Sequence, residues 1–117
     1  MAVLDSLTKL RAAGGMTVID QSSIGFGRKA SHLKRLSDLS GVNIVAGTGY
    51  YIDESFSDTI RVNSTIESMA NLCTTEIVDG CLGDPTVQAG LIGEVGVSDE
   101  ITGWDKSRKF SFYYYKS

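Results

Sequence analysis

Glu94 is the residue with most to explain. It follows the apolar run Ala89-Gly90-Leu91-Ile92 and stands between Gly93 and Val95-Gly96. A carboxylate at the end of an apolar strand is costly to bury unless it is paired or bound to a metal. Taken alone, half of a structural salt bridge is the commoner solution. Gly93 and Gly96 leave room for close backbone approach. The sole histidine, His32, lies between Ala30 and Leu33 in a helical pattern and reads as a solvated helix residue. With one histidine, no Ser-His-Asp or Cys-His arrangement can be built. Cys73 and Cys81 fit no CxxC metal spacing and read as small buried thiols. Gly25-Phe26-Gly27-Arg28 precedes a helix and could cradle a phosphate, although a tight turn is the simpler reading. It lacks the third glycine of a dinucleotide fingerprint and the Lys-Ser/Thr of a P-loop.

These residues sit on elements that the hydrophobic pattern defines. Leu4, Leu7 and Leu10 form one helical stripe, ending at Gly14-Gly15, and Ala30, Leu33, Leu36 and Leu39 form a second, ending at Gly41. Ile66, Met69, Ala70, Cys73 and Ile77 form a third, ending at Gly80, with Ser64 and Glu67 at capping-box spacing. Each terminating glycine precedes a short apolar run, near 17–20, 43–47 and 89–93, which predicts a strand. Strands alternating with helices predict a parallel sheet with right-handed crossovers. Each strand then opens into a polar or glycine-rich loop: Asp20 to Gly25, Gly47 to Tyr51, and Gly93 to Gly96. In α/β barrels and open α/β sheets alike, that edge binds ligands.

Composition sets the remaining bounds. At 117 residues there is room for one core, and 42% hydrophobic with 21% charged residues suits a folded chain. The net charge of −3, with scattered Lys and Arg, gives no footprint for nucleic acid or an anionic membrane. No apolar run approaches the roughly 20 residues of a membrane span. The start lacks the pattern of a signal peptide, so the sequon Asn63-Ser64-Thr65 carries little weight and a cytoplasmic address is expected.

Three blocks together resemble the phosphotriesterase-related family of the amidohydrolase superfamily. They are Thr17-Val18-Ile19-Asp20 with Gly25-Phe26-Gly27-Arg28, then Asn43-Ile44-Val45-Ala46-Gly47-Thr48-Gly49-Tyr50-Tyr51, then Gly90-Leu91-Ile92-Gly93-Glu94-Val95-Gly96. The resemblance covers roughly residues 3 to 102. It implies an α/β fold, an incomplete (β/α)8 TIM barrel whose second, third and fourth strands are present, with helices on the outer face. Residues 1–102 are then the partial barrel and 103–117 a divergent aromatic and basic tail.

The resemblance also implies a pair of divalent metals, usually zinc, that activate water for hydrolysis of an ester, phosphoester or amide-like bond in a small-molecule substrate. Glu94 falls where the family places the acidic group bridging the metals, and Tyr51 where relatives put an aromatic facing the substrate. Arg28 is expected to cap or pack rather than react. Asp20 ends a strand at which the family has no ligand. Five of the six expected ligands have no residue here, so this chain alone is expected to be inactive and to self-associate through its uncovered faces. Two other readings stand beside this one: a small phosphate- or nucleotide-binding module using Ser22 to Gly27, and a non-catalytic truncated product.

Overall fold

The computed structural model describes residues 2–24, 27–51 and 65–93. Glu94 and the tail from residue 103 lie outside the described residues. The elements alternate as the pattern predicts: α1 (Ala2–Ala12), β1 (Thr17–Asp20), α2 (Ala30–Ser40), β2 (Asn43–Thr48), α3 (Ile66–Val78) and β3 (Leu91–Ile92).

The strands form one parallel sheet in the order β1-β2-β3. Thr17 pairs with Asn43 and Asp20 with Ala46, while Gly47 pairs with Leu91 and Thr48 with Ile92. Consecutive strands are neighbours, as they are around a barrel wall. The second strand runs one residue past the 43–47 expected. Gly47 and Thr48 belong to the ladder rather than to the loop, because β3 pairs with β2 only there.

The helices end where glycine allows it. Gly41 takes the left-handed conformation (φ 74°) and its N–H donates to the Ser37 carbonyl at 3.0 Å. Gly80 is more constrained: at φ 138°, a Cβ there would meet the Pro85 carbonyl oxygen at 2.2 Å. The start of α3 is capped one residue later than the Ser64/Glu67 spacing suggested. Thr65 is extended (φ −112°, ψ 165°), its hydroxyl accepts the Ser68 N–H, and the Ser68 hydroxyl accepts the Thr65 N–H at 2.8 Å. Serine therefore fills the place that Glu usually takes in this motif.

The core lies between sheet and helices. Tyr50, Met69, Ala70 and Cys73 pack together with Ile24, Ile66 and Leu72 around them, and Ala30, Cys81 and Ala89 form a second cluster. Thr48 hydrogen-bonds to Glu76 of α3, so the face carrying Val18, Ala46 and Thr48 is the helix side. Ile19, on the opposite face beside Val45, is 59% exposed. That is the face a complete barrel would fill with side chains from the strands opposite.

Candidate functional site

The carboxyl ends of the three strands converge on Gly47. A Cβ at that position would meet the Gly93 carbonyl oxygen at 2.6 Å and the Asp20 carbonyl oxygen at 3.2 Å. Only glycine lets the ends of β1 and β3 close on β2 from both sides. Past β1, the Asp20 carboxylate accepts the Ser22 N–H at 2.8 Å, which turns the chain. The Ile24 N–H then donates to the Gly49 carbonyl at 2.9 Å, tying this loop to the one after β2. Tyr50 is buried under α3, and Tyr51, the next residue, is half-buried. On the third strand, the Gly93 N–H donates to the Thr48 carbonyl at 2.8 Å. Gly93 has φ 152°, so the regular alternation of β3 ends there.

Directly beneath this edge lies a buried ion pair. Arg28 Nη1 donates to Glu76 Oε1 at 2.6 Å and Nη2 to Oε2 at 2.5 Å, with both side chains sealed from water (4% and 0% exposed). Arg28 Nη1 also donates to the Gly47 carbonyl at 2.9 Å. The Thr48 hydroxyl donates to Glu76 Oε1 at 2.5 Å, and the Leu82 N–H to Oε2 at 2.8 Å. Burial by itself would raise the Glu76 pKa. The hydrogen bonds from Arg28, Thr48 and Leu82 outweigh it and hold the carboxyl below the ordinary range. The bond to Glu76 likewise raises the Arg28 pKa against its own burial.

The Arg28 guanidinium is engaged by Glu76 and the Gly47 carbonyl; Gly25 and Phe26 of the Ser22 to Gly27 loop lie outside the described residues. His32 is exposed on α2. Both cysteines are free and buried, and burial pushes the Cys73 thiol up to about 11 and raises Cys81 as well. Such thiols stay protonated and unreactive. Among the described residues, no group of three or more His, Cys, Asp or Glu side chains could hold a metal ion. These residues alone do not fit a metal pair.

Glu76 is the residue that sequence reasoning passed over. The apolar stripe of α3 predicts Ile77 on the buried face, but Ile77 is exposed and Glu76 is buried. The signal was present: Met69, Cys73 and Glu76 stand at i, i+4 and i+7, one continuous helix face. A carboxylate in the core position of a helix requires a buried cation, and Arg28 supplies it.

The sequence profile of the phosphotriesterase family matches residues 1–110. The chain belongs to that family. Among curated relatives, the N-acetyltaurine hydrolase of Salmo salar is 36% identical over 105 residues, covering 90% of this chain and 30% of that protein. A phosphotriesterase-related protein of Aedes aegypti is 36% identical over 111 residues, covering 90% of this chain and 31% of that protein. Among phosphotriesterase-family structures, the phosphotriesterase homology protein of Escherichia coli, solved with phosphate in its active site, superposes with a TM-score of 0.80. It is 28% identical over 91% of this chain and 36% of its own. A resiniferatoxin-binding protein of Rhodobacter sphaeroides gives a TM-score of 0.82 at 30% identity, over 90% of this chain and 29% of its own. The chain thus spans about a third of the length of these relatives, and its three strands are an incomplete TIM barrel of the phosphotriesterase type. Among the described residues, no helix is long and apolar enough to cross a membrane.

Proposed function

We propose that this segment is the second-to-fourth-strand part of a metal-dependent hydrolase, to which it contributes Glu94 as the acidic ligand between two divalent metals and Tyr51 as a wall of the substrate pocket. The observation that carries this reading is the family match, together with the convergence of three strand ends on Gly47. Ligand sites of α/β barrels are built at that edge. Glu94 directly follows Gly93, whose amide is anchored to Thr48. Tyr51 follows Tyr50, and in extended backbone consecutive side chains take opposite sides. With Tyr50 under the helix, that alternation would turn Tyr51 to the inner side.

Bound zinc would polarise the scissile bond and activate a water there. The chain's own part is to hold a carboxylate and an aromatic at the pocket. The relatives named for N-acetyltaurine favour a small N-acyl amide over a phosphoester as substrate. One acidic ligand is too few for a zinc site, which takes three or four protein donors. By itself the chain is therefore inactive. Its two free, buried thiols suit a reducing, cytoplasmic setting.

The test is a chimera in which residues 3–102 replace the matching third of the salmon N-acetyltaurine hydrolase. The reading expects metal-dependent hydrolysis of N-acetyltaurine, abolished by Glu94→Ala. A chimera that hydrolyses normally after Glu94→Ala would refute the ligand assignment.

A further inference from the structure

We infer that Arg28, Glu76 and Thr48 form a positioning clamp that fixes the carboxyl end of β3, and with it the backbone from which Glu94 starts. This rests on the reading of Glu94 as a metal ligand and adds residues that never touch the metal or substrate. The connections form an unbroken chain. Arg28 enters from the loop after β1 and donates to the Gly47 carbonyl, which fixes that peptide plane. The same guanidinium holds Glu76 of α3 by a two-pronged bond, and Glu76 in turn accepts the Thr48 hydroxyl. Thr48 then presents its own carbonyl to the Gly93 N–H. A second arm, from Glu76 to the Leu82 N–H, holds the segment that leads from α3 into β3.

The arrangement is more elaborate than stability alone calls for. A buried ion pair is commonly neutral against an apolar pair of the same volume, so its value lies in holding one geometry. The planar fork of arginine suits that purpose, because it accepts one approach direction for the carboxylate. Here two of the bonds lead to Gly47 and Thr48, the two residues of β2 that pair with β3, and a third leads to Leu82 on the way into β3. β3 is only two residues long, so its end has few other anchors. Placement of a metal ligand to within about 0.5 Å requires supporting contacts of this kind.

Hydrogen exchange of the barrel chimera carrying residues 3–102, read amide by amide by mass spectrometry with electron-transfer fragmentation, tests the clamp in a completed barrel. In Thr48→Val the Gly93 amide should exchange faster by roughly three- to tenfold, the worth of about one hydrogen bond. Glu76→Gln should do the same and also expose the Leu82 amide. Thr48→Ser, which keeps the hydroxyl, should restore Gly93 to the parent rate. The Gly41 amide on Ser37 and the Asn43 amide on Met16 should not change, whereas a loss confined to general stability would move all of them together. If Glu76→Gln loses the fold, Thr48→Val decides, since it leaves the ion pair in place. An unchanged Gly93 rate in Thr48→Val, or a rise shared equally with Gly41 and Asn43, would overturn the clamp. Exchange at Gly93 reads the clamp alone, and the Glu94→Ala assay reads the hydrolase assignment alone.

Discussion

Arg28 and Glu76 are 48 residues apart in sequence, yet they meet as a fork on a carboxylate, at 2.6 Å and 2.5 Å, in a place closed to water. The pair joins the loop after β1 to α3, and through Gly47 and Thr48 it joins both to the centre of the sheet.

Breaking that pair from one side should be far worse than removing it. In the barrel chimera, Glu76→Leu leaves a buried guanidinium and should cost about 3–5 kcal/mol. The double variant Arg28→Met with Glu76→Leu should recover more than half of the loss. Thermal or denaturant unfolding of the four proteins reads the cycle, and additive losses would contradict it.

The depressed Glu76 pKa makes the pair an acid-sensitive contact. A carboxyl whose folded pKa lies below its unfolded value of 4.5 contributes stability that is fully present above that pH. The contribution fades as pH falls below about 4.5 and through the lowered folded value. Glu76→Gln should therefore flatten the acid limb of the chimera's stability profile and leave the slope near neutrality unaltered. Identical acid limbs would show that other carboxylates dominate.

Cys73 and Cys81 should resist alkylation by iodoacetamide at pH 8 in the folded chimera, and both should react once denaturant is added. With the Cys73 thiol pushed up to about 11, little thiolate exists at that pH. Rapid stoichiometric labelling under native conditions would contradict the packing described for α3.

The isolated chain should run as an oligomer on size exclusion and melt without a cooperative transition. Ile19 and Ile92 are 59% and 43% exposed, and each such side chain left wet forfeits up to about 1.5–3 kcal/mol. Among the described residues, β1 and β3 are the edge strands of the sheet. A sharp melt from a monomer would show that these residues make a self-sufficient domain.

Zinc added to the isolated chain should bind only weakly, and Glu94→Ala should not alter the titration. A tight stoichiometric site lost in that variant would mean that other donors in this chain coordinate.

The elements were legible because each leaves a local mark. Three leucine-rich or mixed stripes ended at glycines, and the β-branched runs after Gly15 and Gly41 gave β1 and β2 in order. The cap at Thr65 lies one residue past the sequence signal, because Glu67 fits the usual box and a serine at that place in the box does not. The ion pair was not found, because it depends on tertiary contact. Nothing near Arg28 in sequence announces a carboxylate 48 positions away. Only the helical position of Glu76 in the Met69–Cys73 stripe hinted at it. The roles of Glu94 and Tyr51 came from resemblance to the family rather than from any pattern within the chain.

If this segment brings Glu94 to a metal pair, metal content shows it first. The chimera should be purified with its native metal and analysed by elemental mass spectrometry against protein concentration. Two metals per chain are expected with Glu94 present, falling to one or fewer in Glu94→Ala, with the circular dichroism of the folded barrel preserved. A Glu94→Ala chimera that keeps both metals and its fold would contradict the claim.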